Sequence, residues 1–276
     1  MPELPEVETV CRGLRPLLVG RRIAACELGR HGLRIPFPKG LARDLAGCRI
    51  EAVERRAKYI LMRLDSGRTL IAHLGMSGRM TVAAPPLPAR GKHDHFRLVL
   101  DDGRGVTLND PRRFGLVALA ASAELNRHAL FRHLGPDPLT PEFTPRLLAA
   151  RLAGRRTAVK LALLDQRIVV GVGNIYASEA LFRAGISPKR AAGRCLGDRA
   201  AALAAAIRQV LRDAIAAGGS SLRDYVQADG ELGYFQHRFA VYDRAGQPCP
   251  GCDCGGAVKR LVQGGRSTFY CPARQR

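Results

Sequence analysis

The chain reads as an α+β protein: an N-terminal helix, an antiparallel β-domain, a helical domain and a small basic tail. Three observations predict this. Short apolar segments broken by turn signals fill residues 22–130, helical periodicity fills 146–217, and four of eight cysteines crowd the last 28 residues. The expected parts are 1–131, 132–236 and 237–276. A chain of 276 residues suffices for two domains with real cores and one small appendage.

In order, Leu4, Val7, Cys11, Leu14 and Leu18 form an apolar stripe that predicts an amphipathic helix ending near Gly20. Ile50–Val53, Tyr59–Leu64, Phe96–Leu100 and Val117–Ala120 read as strands. Asp65-Ser66-Gly67, Asp101-Asp102-Gly103 and the proline-rich 84–89 supply the turns. That spacing favours a sandwich or a barrel. Residues 132–145 read as a linker, and 146–153, 157–164, 174–184 and 199–217 as helices. For the last, Asp198 supplies a cap and Gly218-Gly219 a stop. A polar loop, 218–236, follows.

Lys and Arg number 44 against 24 Asp and Glu, a formal +20, so a polyanion is the expected partner. The tail from 237 onward carries +5 by itself. No secretory signal, lipidation motif or membrane-length apolar run is present, which predicts a cytoplasmic protein with no membrane role. Without export signals, the cysteines read as reduced thiols plus a metal site rather than a disulfide framework.

The most chemically loaded stretch is Met1-Pro2-Glu3-Leu4-Pro5-Glu6. Removal of the initiator would leave Pro2 as a secondary amine. A free α-amino group titrates near ~7.7–8.0 and is in part neutral and nucleophilic at pH 7, able to form a Schiff base. Glu3 and Glu6 stand at i and i+3, on one helical face. A helix start alone also accounts for proline and acidic residues here. The two readings are compatible, since a helix N-terminus keeps the amine neutral.

The start MPELPEVETV resembles the bacterial formamidopyrimidine-DNA glycosylases, and the resemblance continues along the chain. It implies a bifunctional repair enzyme that excises 8-oxoguanine and ring-opened purines from duplex DNA and then cleaves the abasic strand. It implies a β-sandwich domain, a helix-two-turn-helix domain and a terminal zinc-finger-like β-hairpin, acting as a monomer. Pro2 is then the nucleophile, Glu3 handles protons at the sugar and Glu6 positions the start of the chain. Lys58, in Arg55-Arg56-Ala57-Lys58-Tyr59, assists the lyase steps, although a lone lysine at a strand start is ordinarily solvated.

Two glycine- and arginine-bearing loops match insertion loops. In His73-Leu74-Gly75-Met76-Ser77-Gly78, Met76 would wedge into the base stack. In Asp110-Pro111-Arg112-Arg113-Phe114-Gly115, Arg112 would read the orphaned cytosine, Phe114 would wedge beside it, and Arg113 would contact the backbone. His73 and His93, the latter in Lys92-His93-Asp94-His95, match segments near DNA. Gly171-Val172-Gly173-Asn174-Ile175-Tyr176 fails as a dinucleotide fingerprint, because Tyr176 holds the third glycine position. By resemblance Asn174 and Lys160 grip phosphates, with Arg155 and Arg156 adding to them, the loop 218–236 occupies the place where the everted purine is held, and Arg266 reaches the lesion site from the hairpin. Without the resemblance, Met76 reads as an ordinary core methionine and the arginine-bearing motifs as ordinary turns with solvated cations.

The tail departs from the pattern. The family ends in a final C-x-x-C, but Cys271-Pro272-Ala273-Arg274 puts arginine at the fourth ligand position. Two outcomes follow: one zinc held irregularly by Cys249, Cys252, Cys254 and Cys271, or a finger that folds without zinc. The zinc site is the expectation, because a short tail has little core of its own. Competing functions are an endonuclease VIII-like enzyme for oxidised pyrimidines, disfavoured by Leu4 and the Arg112 loop, and a noncatalytic damaged-DNA-binding protein.

Overall fold

The computed structural model describes residues 2–221, 227–253 and 255–276. Its elements are α1 (Leu4–Leu18), β1 (Ile23–Leu28), α2 (Leu41–Leu45), β2 (Ile50–Arg56), β3 (Tyr59–Leu64), β4 (Arg68–His73), β5 (Arg79–Ala83), β6 (Asp94–Leu100), β7 (Gly105–Asn109) and β8 (Leu116–Ala121). Then follow α3 (Pro145–Leu152), α4 (Val159–Leu164), α5 (Asn174–Arg183), α6 (Asp198–Ala216), β9 (Lys259–Gln263) and β10 (Arg266–Tyr270). Two compact units result: Met1–Arg132 with Ala217–Tyr234, and His133–Ala216 with Phe235–Arg276. No described helix is long and apolar enough to cross a membrane.

The first unit is an antiparallel sandwich of two four-stranded sheets, ordered β1-β6-β7-β5 and β2-β3-β4-β8. The predicted stripe of α1 is fully buried. It packs with Ile50, Val53, Ile60 and Met62 in the core shared by the sheets. Gly20 ends the helix with φ +87°, a conformation that costs a residue with a Cβ. The loop after α6 belongs to this unit by its contacts, whereas the sequence boundaries group it with the helices. Ala228 explains the attachment: its carbonyl accepts the Val82 N–H at 3.0 Å, and its side chain faces Gly13 of α1 so closely that a Cβ there would meet it at 2.8 Å.

Strand register gathers the predicted motifs at one end of the sandwich. Arg56 pairs with Tyr59 and Tyr59 with His73, so the β2–β3 turn that holds Lys58 lies beside the end of β4. His73 pairs with Leu116, and Arg79 and Asp94 both pair with Asn109. The β4–β5 and β7–β8 loops therefore leave the same edge.

In the second unit, Thr144 caps α3 by accepting the Leu147 N–H at 3.1 Å, with Pro145 at the first position. The predicted helix 157–164 starts at Val159, because Ala158 stays extended and pairs with Ala191. Arg208 of α6 fastens the linker by donating to the carbonyls of Pro138, Thr140 and Phe143. Glu179 of α5, fully buried, accepts the N–H groups of Ala240, Val241 and Tyr242 at 2.8–2.9 Å and so anchors the start of the tail.

Candidate functional site

Pro2, Glu3 and Glu6 are all buried at the head of α1. The helix starts with a reciprocal capping box: the Glu3 side chain accepts the Glu6 N–H, and Glu6 Oε2 accepts the Glu3 N–H at 2.8 Å. The other Glu6 oxygen accepts the Ser220 N–H at 2.9 Å. One carboxylate thus joins the residue after Pro2 to the loop after α6. Part of that loop, residues 222–226, lies outside the described residues, so the lesion-holding role expected there has no geometry to report.

Lys58 is 8% exposed, not solvated as a lone strand-start lysine would be. The turn that buries it needs Ala57 at φ +54°. His73 accepts the Gly75 N–H through Nδ1 at 2.9 Å and stands 4.9 Å from the Tyr59 ring. Burial, then the charges of Arg34 and Lys58, push its pKa down to about 3. Its ring is therefore neutral at ordinary pH, with the proton on Nε2.

The two loops present Met76, 38% exposed, and Phe114, 44% exposed, and the Arg112 guanidinium lies over the Phe114 ring at 4.8 Å. Exposed apolar side chains beside arginines on a +20 protein suit insertion between bases. Sequence reasoning missed what holds these loops. Asp110 is completely buried. Its Oδ1 accepts the Ser77 hydroxyl at 2.7 Å and its Oδ2 the Gly115 N–H at 2.7 Å, while the Arg112 N–H donates to Ser77 Oγ at 3.3 Å. The only sequence signal was Asp-Pro, which marks a turn and says nothing of burial. Arg113 takes φ +56° here. His95 donates through Nε2 to the Asp110 carbonyl at 3.1 Å; burial first, then the Arg113 charge, lowers its pKa. His93 lies 6.4 Å from the His95 ring, and these histidines join no metal-ligand cluster among the described residues.

In the second unit Lys160 is 0% exposed. Its ammonium donates to Asn174 Oδ1 at 2.6 Å, Thr268 Oγ1 at 2.7 Å and the Ser267 carbonyl at 2.9 Å. Three donors meet three acceptors, so in this arrangement Lys160 braces Asn174 and β10 from within rather than facing solvent. Asn174 opens α5 and also donates to Ser267 O at 3.0 Å. Arg266 stands exposed at the hairpin tip, across from Gln263, with Gly264 and Gly265 at positive φ between them. Paired positive φ is what a tight two-residue hairpin loop requires. Arg155 and Arg156 are exposed.

The thiols of Cys249, Cys252 and Cys271 lie within 4.8 Å of one another, with Cys252 3.4 Å from Cys249 and 3.7 Å from Cys271. Sulfurs bound to one tetrahedral ion at about 2.3 Å stand about 3.8 Å apart, so these three could hold a metal ion. Burial alone would raise the Cys271 pKa. Hydrogen bonds from the Arg274 N–H, Cys249, the Ala273 N–H and Cys252 outweigh it and bring the thiol to about 7. Cys254 lies outside the described residues. The Arg274 side chain does not replace the missing sulfur. It donates to the Gly251 carbonyl at 2.6 Å and the Phe182 carbonyl at 3.2 Å, and lies over the Phe182 ring at 5.0 Å.

Comparison with known proteins is consistent along the whole chain. Residues 1–117 match a family model described as the formamidopyrimidine-DNA glycosylase N-terminal domain, and 134–226 match the H2TH domain of the same family. The chain is 56% identical over 283 residues to formamidopyrimidine-DNA glycosylases of Ruegeria pomeroyi and Rhodospirillum rubrum, covering 100% of each pair. Among solved structures, it resembles MutM (Fpg) of Thermus thermophilus with TM-score 0.88 and 41% identity, over 99% of this chain and 98% of that one. It resembles wild-type Lactococcus lactis Fpg in complex with an N7-benzyl-Fapy-dG containing DNA with TM-score 0.90 and 33% identity, over 100% of both chains. Two matched domains, full-length identity above half and the shared architecture give one answer: the chain belongs to the formamidopyrimidine-DNA glycosylase family.

Proposed function

We infer that the chain is a base-excision repair glycosylase for oxidised purines in duplex DNA, and that it also cleaves the resulting abasic site. The observation that carries the catalytic reading is the buried, doubly capped helix start, with Glu3 and Glu6 fixed directly after Pro2. It supports a chain end built for chemistry rather than a frayed terminus. The target carbon of a stacked base is out of reach, so the lesion is everted, and Met76, Arg112 and Phe114 fill the gap. The Pro2 amine, freed of Met1, attacks the sugar C1′. The C1′–N bond breaks and its electron pair leaves with the base. Glu3 manages the proton at the ring oxygen as the sugar opens to an iminium. That iminium acidifies the adjacent C–H, so loss of that proton expels the 3′ phosphate and a second elimination expels the 5′ phosphate. Lys58 and Arg266 assist these eliminations.

His73, His93, Arg113, Arg155 and Asn174 contact the DNA backbone, and Lys160 acts by holding Asn174 and the hairpin in register. One zinc ion would sit among Cys249, Cys252 and Cys271, with Cys254 as fourth ligand; its part is to brace the hairpin that carries Arg266. The enzyme works as a cytoplasmic monomer, in the functional parts 1–131, 132–236 and 237–276, although the loop after α6 is built into the first compact unit. The match to formamidopyrimidine-DNA glycosylases along the full chain supports this substrate class; L. lactis Fpg itself is found with DNA containing N7-benzyl-Fapy-dG, an abasic site or an oxidised pyrimidine.

Borohydride trapping on a duplex with 8-oxoguanine opposite cytosine tests the mechanism. A covalent adduct should form with the wild type and be strongly reduced by Pro2→Gly. No adduct, or equal trapping by the variant, would remove Pro2 from this role.

A further inference from the structure

The second unit carries another concentration of positive charge besides Lys160, Asn174 and Arg266. A cavity of about 890 Å³ lies between the turn before α4, the segment after α5 and the end of the chain. Arg155, Arg156, Lys189, Arg190, Arg194 and Arg276 line it. All are exposed except Arg190, which is half-buried. Among the described residues none of the six forms an ion pair with an acidic side chain. Asp165, on which the Arg155 charge acts, is already held by Arg167 at 3.0 Å. The protein acceptors that do reach these arginines take the Nε groups: Arg155 on Arg151 O, Arg190 on Arg276 O, Arg276 on Ala273 O. The guanidinium ends stay available to a ligand.

These cations are fixed by backbone rather than scattered. Val159 N donates to Arg190 O at 2.7 Å, Ala192 N to Thr157 O at 2.8 Å and Gly193 N to Arg155 O at 2.9 Å. The segments bearing Arg155, Arg190 and Arg194 are thus laced together against the first turn of α4. Like charges gathered in one concavity repel one another, and a bound anion relieves that repulsion. Its walls contain no aromatic ring to stack a base and no carboxylate side chain to bond a ribose. Such a lining suits phosphate, which arginine forks bind well. The rim is continuous with the hairpin, since Gln263 Nε2 donates to Pro188 O at 3.2 Å and Lys189 lies over the Tyr270 ring at 5.2 Å.

We propose that this basin is a second phosphate-binding site that holds the DNA backbone outside the phosphates of the lesion itself. The proposal rests on the DNA glycosylase reading above. The test measures affinity for a lesion-bearing duplex against salt, for the full chain and for Lys189→Gln with Arg194→Gln. Each phosphate contact contributes about 0.9 to the slope of log affinity on log salt, so the double variant should lose about 1.8. Lys189→Arg with Arg194→Lys should keep the wild-type slope. An unchanged slope in the glutamine variant overturns the proposal. So does binding of inorganic tripolyphosphate to wild type but not to that variant with the DNA slope unchanged, which assigns the basin to a free polyphosphate. Borohydride trapping at saturating enzyme separates the two levels. Its loss in wild type removes the glycosylase reading, whereas an unchanged slope with intact trapping removes only the basin.

Discussion

The Ser77 hydroxyl and the Asp110 carboxylate, 33 residues apart, meet at 2.7 Å in a fully enclosed position. This contact makes one object of two loops. The other Asp110 oxygen holds Gly115, and Ser77 in turn receives the Arg112 N–H. Met76 and Phe114 are therefore presented by a latched pair of turns, and no order has to be imposed on them when a duplex arrives.

Asp110→Asn should unlatch the pair. An amide nitrogen would face a donor, either Ser77 or Gly115, and a charge-assisted bond would be lost in a dry site. The expected loss is about 2–3 kcal/mol of unfolding free energy, read from urea denaturation. Ser77→Ala should cost about 1–2 kcal/mol, since it removes one bond. The double variant should lose less than the sum, because both changes break the same contact. Strict additivity would show that the two residues act separately.

Glu6 makes a second connection of this type, between the Glu3 N–H and the Ser220 N–H. Glu6→Gln can satisfy only one of these donors. Excision of 8-oxoguanine depends on both the nucleophile and the loop, so its single-turnover rate should fall about 10–100-fold, the equivalent of one lost charge-assisted bond. Trapping on a preformed abasic site, which has no base for the loop to hold, should fall less. Equal losses on the two substrates would place Glu6 solely with the nucleophile.

How much of this was legible beforehand depends on what each residue needs for recognition. The α1 stripe was readable because its period is local, and Tyr59–Leu64 because a strand between turn signals has few alternatives. Asp110, Glu179 and Arg274 are not readable as anchors, since each holds a group far away in sequence: the Ser77 hydroxyl, the N–H groups of 240–242 and the Phe182 carbonyl. Nothing near Glu179 announces that a carboxylate in the middle of α5 will collect three N–H groups from residues 240–242. Its sequence context marks Lys160 as a cation but not as a buried one. Its burial depends on Ser267 and Thr268, more than a hundred residues downstream. The motif identified the residue, and only tertiary structure gave its partners.

His73 makes a pH prediction with a definite sign. In the unfolded chain its imidazole takes a proton below about 6.5, whereas burial and the Arg34 and Lys58 charges keep it neutral in the fold down to about 3. Between these values the unfolded state binds more protons, so stability falls as pH is lowered through the window and is recovered above it. His73→Asn keeps an acceptor for the Gly75 N–H and cannot titrate. Its melting temperature should decline less steeply than wild type between about pH 6.5 and pH 3. Parallel curves would show that His73 is solvated and protonates in the fold as freely as in the unfolded chain.

Arg274 holds the tail by a means other than a fourth sulfur. Its guanidinium joins Gly251, beside Cys252, to the C-terminal carbonyl end of α5, where a cation is favourable. Arg274→Cys exchanges that clamp for a thiol next to Cys249, Cys252 and Cys271. With metal present, the variant should bind zinc at one equivalent and hold its hairpin. Under a chelator it has neither clamp nor ion, so its melting temperature should fall further than that of wild type treated in the same way. Arg274→Ala, which loses the clamp and gains no thiol, should be less stable than wild type with or without zinc. If chelation lowers wild type and Arg274→Cys equally, the guanidinium contributes nothing to the tail, and the cysteines with their metal hold it unaided.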